Sequence, residues 1–409
     1  MNLMTYAQRC LADSISDRPL TPVDFCLLNE LAYLPLDYLA DHHSGFLHGI
    51  GVGQLAQEFI TDSSLRSNWF LATGQRLQLL KLVAASQRFS GLRFYHYAAR
   101  QDASEQVQFA ALTLVIPGVH RQVIFRGTDD TLIGWKEDFH LAASQDIPAQ
   151  ALAVEYLSRV LATGSEEPVI VTGHSKGGHL AVHAASLQSR GDQDVIDQVW
   201  AFDAPGFAQR FVEHPGYRRI LGKVQEVIPA DSIVGRLMFK ASQPLVVASG
   251  AFGLMQHSIF VWRCSAEGQF MVADHPTAAS DRVEQVTRDW LDRHSPEEIQ
   301  QVVDICFALA LDEGYTSLLE ITQNVVPFVQ RMKAKSAELD PDSYALAQEC
   351  LEDYLALWRQ VRSEQKSTAE SSRLVQFEAG LRASFVNRFG SMWAGQRTDG
   401  APAAEDDEA

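Results

Sequence analysis

Cysteine is sparse in this chain. Cys10, Cys26, Cys264, Cys306 and Cys350 are scattered through 409 residues, odd in number and without a Cys-x-x-Cys pair. That excludes a disulfide framework and a zinc knuckle, and a reducing compartment is the simplest setting. Long apolar runs are missing too. None reaches the roughly 18 residues that span a bilayer, so no stable membrane span is expected. The opening residues, MNLMTYAQRCLADSISDRPL, lack the basic-then-apolar pattern of a secretory leader. These absences together point to a cytoplasmic protein. Positive charge is also in deficit: Lys and Arg number 34 against 51 Asp and Glu, a formal net charge of −17. An acidic surface repels phosphate backbones, so nucleic acid is not an expected partner. Plain electrostatic docking onto anionic lipid is disfavoured for the same reason, although an apolar contact with lipid is not.

What is present is an ordinary globular composition, with 46% hydrophobic and 21% charged residues. A core of useful size is available, and neither a cofactor nor a disulfide is needed to hold it. The length suits one large domain with an extension, or two modest domains. Residues 1–88 read as a helical segment packed on a core; VDFCLLNELAYL and VGQLAQEFITD carry helical apolar spacing, and Thr21-Pro22 suits a helix start. From residue 89 to about 280 short β-rich runs take over and then alternate with helices. LRFYHYAAR, QVQFAALTLVIPG, RQVIFRG, EPVIVTG, DQVWAFDAPG, KVQEVIP and PLVVASG read as strands, with VWRCSAEGQFMVAD as a closing β segment. Alternation of strand and helix predicts an α/β fold, a mostly parallel sheet flanked by helices. Residues 281–395 return to amphipathic, charge-laced helix, and 396–409 form an acidic tail expected to be disordered.

The chemistry gathers around VIVTGHSKGGHLAVHAA, residues 169–185. Gly173-His174-Ser175-Lys176-Gly177 is a Gly-x-Ser-x-Gly pattern with an apolar run before it and a small-residue helix after it. A serine there is either a nucleophile raised on a sharp turn or a structural residue of a tight loop. The strand–turn–helix context favours the nucleophile elbow, with Gly173 and Gly177 clearing the approach of strand and helix.

A serine hydroxyl needs a base, and in this order of elements the acid and then the histidine follow the serine. His179 and His183 ride on the serine's own helix. Their i,i+4 spacing resembles a metal pair, but without a following Glu or a third ligand they read as packed or solvated helix residues. His214 comes too early. His257, in AFGLMQHS after a terminal strand, is where an imidazole should be delivered. The acid is Asp231, just after KVQEVIP, or Asp203, at the end of DQVWAFDAPG; position favours Asp231. An oxyanion hole needs two donors. The N–H of Lys176 offers one. Thr128, after a strand ending in Gly127, offers the other through its N–H or hydroxyl.

VIFRGTDDTLIGWKEDF, VTGHSKGGHLA, AFDAPGF, IPADSIVGRL and QHSIFVW, in that order, resemble the class 3 (fungal) lipase group of α/β hydrolases, and more closely still a bacterial branch of lipase-like proteins. The resemblance covers roughly residues 90–265. It implies an α/β-hydrolase fold, with Ser175, Asp231 and His257 as triad and Thr128, Trp135 and Asp138 as the oxyanion segment. The group's acid lies in an Asp-x-Val-Pro-like segment; Asp231 matches with one extra residue, and Gly235 stands where Pro is usual. The function expected is a metal-independent serine hydrolase acting on acyl or lipid-like esters. A thioesterase or acyltransferase could use the same triad. From a different class, the fold could be an inactive binding protein, with the C-terminal helices as a surface for a protein partner. The apolar stretch IVGRLMFKASQPLVVASGAFGLM either lines an acyl pocket or is simply a helix start and a core strand.

Overall fold

The computed structural model describes residues 1–37, 48–61, 72–102, 104–105, 107–128, 132, 136–138, 140–141, 147–164, 167–315, 320, 325–336 and 338–365. Trp135 and the acidic tail from residue 396 lie outside them. The chain divides into two compact units, Met1–Glu284 and Gln285–Ala409.

The first unit is built on an eight-stranded sheet whose spatial order follows the chain: β1 (Ile50–Gly51), β2 (Arg93–Asp102), β3 (Val107–Ile116), β4 (His120–Phe125), β5 (Val169–His174), β6 (Ile196–Phe202), β7 (Val224–Pro229) and β8 (Leu245–Val247). The pairs from β1 to β4 are antiparallel, and those from β4 to β8 are parallel. Parallel neighbours need a crossover of a dozen or so residues, whereas β2, β3 and β4 are joined by short turns that permit only hairpins. The sheet is therefore mixed, with its parallel half where the helical crossovers fall. The closing segment 261–274 is not a strand; it makes single bridges, Ser249 to Trp262, Cys264 to Phe270 and Val247 to Val272.

Helices cover both faces. Before the sheet come α1 (Leu3–Cys10), α2 (Pro22–Asn29), α3 (Val52–Thr61) and α4 (Thr73–Ala85). Helix α2 starts as its sequence dictates: Thr21 accepts the Asp24 N–H, the Asp24 carboxylate accepts the Thr21 N–H at 2.9 Å, and Pro22 occupies the first position. The parallel half carries α5 (Pro148–Ala162), α6 (Lys176–Ser186), α7 (Arg190–Val195), α8 (Gln209–Val212) and α9 (Pro215–Ile220). Successive strand residues point to opposite faces. Ile124 and Ile170 accordingly enter the core made with α1–α4, while Val123, Phe125, Val169 and Val171 enter the core made with α5 and α6. Every residue of β5 is buried, which explains why the strand before the serine reads as an unbroken apolar run.

This register sets the candidate site. Phe125 pairs with Gly173, His174 with Phe202, and Pro229 with Val247. The residues following β4, β5, β6 and β7 therefore emerge along one carboxyl rim, where open α/β sheets bind ligands.

The second unit is helical. After α10 (Ala278–Arg293) come α11 (Pro296–Asp312), α12 (Val325–Ser336) and α13 (Pro341–Gln365). Ser295 and Glu298 form a capping box ahead of α11, with the Ser295 N–H donating to the Glu298 carboxylate at 2.8 Å. Val286, Leu357 and Val361 make a small buried cluster flanked by Trp290, Tyr354 and Trp358. Among the described residues no helix is long and apolar enough to cross a membrane.

Candidate active site

Ser175 sits at the junction of β5 and α6 with φ 58° and ψ −133°. A non-glycine residue there carries strain of about 1–3 kcal/mol, a cost that marks functional turns more often than idle ones. Two close approaches make the turn possible. A Cβ on Gly173 would lie 2.0 Å from the Gly177 carbonyl, and one on Gly177 would lie 2.1 Å from the Phe125 carbonyl. Helix α6 thus begins hard against the end of β4. Lys176 is its first residue, so its N–H has no intrahelical acceptor and is left for a ligand at the helix start. Among the described residues the Ser175 hydroxyl takes part in no hydrogen bond.

His257 closes a 3₁₀ turn, Gly253–His257, and its ring centroid lies 4.6 Å from that of His174, the residue before Ser175. The imidazole is thereby brought to the elbow. Its Nδ1 donates to Asp203 Oδ2 at 2.7 Å, which leaves Nε2 as the ring's acceptor. The carboxylate on the imidazole is therefore that of Asp203, the second choice from sequence, and not that of Asp231. Asp203 follows β6 with φ 42°, a left-handed conformation that Asp tolerates better than most residues, and it is buried. Its other oxygen, Oδ1, accepts the Ser232 hydroxyl at 2.5 Å and the Gly235 N–H at 3.1 Å.

Asp231 faces another way. Its carboxylate accepts the Thr277 hydroxyl and, at 3.2 Å, the Gly253 N–H, while its own N–H donates to Gln256 at 3.1 Å. It buttresses the turn that carries His257 without touching the ring. Gly235 is one of the residues that hold Asp203. Proline has no N–H to donate, and a Cβ at this position would lie 2.5 Å from Asp203 Oδ1. Glycine at 235 both donates to Asp203 and leaves room for its carboxylate.

The second donor segment follows β4. The Thr128 hydroxyl donates to Asp138 Oδ2, so the hydroxyl is occupied, and what it can offer a ligand is its N–H. Among the described residues that N–H has no acceptor. Burial raises the Asp138 carboxyl to about 6 despite the Thr128 hydrogen bond and the nearby Lys176 ammonium.

Tyr33, which precedes the sheet, braces both arms. Its hydroxyl accepts the Gly127 N–H at 2.9 Å and donates to the His174 carbonyl at 3.2 Å. Burial and the adjacent His257 hold His174 well below the usual histidine range. It is neutral, with Nε2 donating to the His257 carbonyl at 2.8 Å. Nothing in the local pattern of ELAYLP distinguishes Tyr33 from a core aromatic, so sequence reading missed it. Tyr33→Phe strands the buried Gly127 N–H, which costs about 1–3 kcal/mol. We expect a lower Tm and slower turnover, measured by thermal unfolding and ester hydrolysis; no change in either would show that the brace is idle.

His179 and His183 lie away from this rim. His179 Nδ1 donates to the Gly206 carbonyl at 2.8 Å, and its Nε2 accepts from Gln150 at 2.9 Å. His183 stacks on Phe211 with centroids 4.8 Å apart. Burial pushes them down to about 3 and about 4, so both are neutral packing residues near pH 7. Among the described residues no group of three or more His, Cys, Asp or Glu could hold a metal ion. The apolar stretch 233–255 contributes a 3₁₀ turn, strand β8 and an exposed lip, with Phe252 72% and Met255 68% exposed beside His257.

A mixed sheet with helices on both faces, a strained serine between strand and helix, and a histidine–aspartate pair on the same rim define an α/β-hydrolase fold. The Mbeg1-like family model matches residues 83–308, more than half of the chain, and the chain belongs to that family. No curated protein matches it. Among solved structures it is similar to a lipase from Rhizopus microsporus var. chinensis, at 12% identity over 56% of this chain and 76% of that one, with a TM-score of 0.31. M37 lipase gives 13% identity over 52% and 68%, TM-score 0.33. The Rhizomucor miehei lipase in its propeptide complex gives 10% over 58% and 80%, TM-score 0.33. These values carry no argument about activity, which rests on the geometry of the rim.

Proposed function

We propose that the protein is a serine hydrolase that cleaves carboxylic esters through an acyl-enzyme. Ser175 Oγ attacks the ester carbonyl as its proton passes to His257 Nε2. Asp203 fixes the ring tautomer and stabilises the imidazolium, and the N–H groups of Thr128 and Lys176 bind the oxyanion. The proton on Nε2 then goes to the leaving alcohol. Water, deprotonated by the same nitrogen, releases the acid and restores the serine. The observation that carries this reading is the 2.7 Å bond from His257 to Asp203 beside a serine held at positive φ. The missing Ser175–His257 hydrogen bond is compatible with it, because such bonds are often long until substrate is bound.

The exposed Phe252 and Met255 beside the base favour esters with an apolar acyl chain. The five free cysteines support a reducing, cytoplasmic setting, and we read the chain as one of the bacterial lipase-like proteins that its motifs resemble. A fluorophosphonate probe tests the assignment. It should label the wild type at one site, and Ser175→Ala should abolish both labelling and ester hydrolysis. A folded wild type that neither reacts nor hydrolyses p-nitrophenyl and thioester substrates of graded length would support the inactive binding fold instead.

A further inference from the structure

Lys176 has a second role open to it that its backbone does not use. Its side chain is wholly buried, and so is its partner Glu137. The ammonium donates to Glu137 Oε2 at 2.6 Å, to Gln108 Oε1 at 2.6 Å and to the Gln108 carbonyl at 2.9 Å. Its three protons are thus matched by three acceptors. Glu137 Oε2 also accepts the Gln108 N–H at 3.2 Å, which ties the pair to β3. The next residue, Asp138, takes the hydroxyl of Thr128. A continuous chain of polar contacts therefore runs from the first residue of α6, through residues 137 and 138, to the segment after β4. These are the two arms that carry the oxyanion donors.

Stability does not account for the pair. A buried ion pair can often be replaced by apolar residues of similar volume with no loss, because desolvating two charges offsets their attraction. What a fully hydrogen-bonded ammonium supplies is one fixed geometry. We propose that the Lys176 side chain is a positioning residue: with Glu137 it locks the start of α6 to residues 137–138 and so sets the separation between the Lys176 and Thr128 N–H groups. This rests on the ester-hydrolase reading, in which both N–H groups bind the oxyanion. Misplacing reacting partners by an ångström can cost about a hundredfold in rate.

The test is the double variant Lys176→Met/Glu137→Leu, in which neither charge is left buried alone, with Glu137→Gln as the conservative variant that keeps an acceptor for the ammonium. The double variant leaves the buried Gln108 N–H, carbonyl and Oε1 without these partners, so its Tm should fall, and its kinetics are read at temperatures where it is fully folded. Its kcat for a p-nitrophenyl ester should fall about 30-fold or more with KM changed less than about threefold. Glu137→Gln removes the counter-charge of the buried ammonium and should lower Tm, but where it is folded it keeps the acceptor and should retain most of the wild-type kcat. Hydrogen exchange gives a readout independent of chemistry: the hydrogen-bonded amides of the two arms, Gly127 on Tyr33 and Gly178 and His179 on the Ser175 carbonyl, should exchange faster together in the double variant. A folded double variant with kcat within threefold of wild type, or with unchanged exchange at those amides, overturns the proposal. Failure of the hydrolase reading looks different, because the wild type would then not react with fluorophosphonate, and exchange alone would decide the lock.

Discussion

Asp203→Asn should lower ester turnover about 10⁴-fold, whereas Asp231→Asn should cost less than about tenfold. The first figure follows from what an amide does at this position. Oδ1 of Asp203 receives two donors, the Ser232 hydroxyl and the Gly235 N–H. In the asparagine variant those donors recruit the amide oxygen, so the NH₂ group is turned towards His257. The ring must then accept at Nδ1 and carry its proton on Nε2, the nitrogen that has to take the Ser175 proton. The fold survives, because the two donors keep their acceptor, and KM changes little. Asp231→Asn instead alters a carboxylate that holds Thr277 and the Gly253 N–H. An amide retains an oxygen for one of them, and the turn bearing His257 loosens without losing its tautomer. Steady-state kinetics with thermal unfolding separates the two variants. A mild Asp203→Asn beside a severe Asp231→Asn would return the acid to Asp231.

The contrast between these two residues also marks how far the sequence could be read. The elbow was legible because its determinants are local. An apolar strand, a Gly-x-Ser-x-Gly turn and a small-residue helix lie within 17 residues, and close packing at Gly173 and Gly177 depends on nothing distant. His257 was legible from its place after the last strand. The acid was not, since Asp203 and Asp231 both end neighbouring parallel strands on the same rim. Only side-chain direction, set by φ 42° at residue 203 and by donors from residues 232 and 235, distinguishes them. One signal was available. Gly235 in place of proline frees an N–H, and a free N–H implies an acceptor. Lys176 was read only as a backbone donor, because its burial depends on Glu137 and Gln108, 39 and 68 residues away in sequence.

His257→Ala should reduce hydrolysis by about 10⁴-fold or more while the protein stays folded, and His183→Ala should leave kcat within about twofold. His257 lies on a short 3₁₀ turn with its side chain 22% exposed. Truncation removes the proton acceptor but leaves Asp203 with Ser232 and Gly235. His183 presents the reverse case. It is buried against Phe211 and near His179, so truncation opens a cavity and lowers stability by about 2 kcal/mol. The pH dependence of that loss distinguishes a buried neutral ring from an ordinary surface residue. Burial holds His183 at about 4, below its unfolded value of 6.5. Between those values the unfolded chain binds the proton and the native ring does not, so wild-type stability falls as pH drops from 6.5 towards 4. The variant lacks that site, and the Tm gap between wild type and His183→Ala should therefore be widest near pH 7 and narrow as pH falls towards 5. Paired melting curves and kinetics check both halves. An active His257→Ala alongside an inactive but folded His183→Ala would assign the base to the helix histidine and leave the 3₁₀ turn without a part in proton transfer.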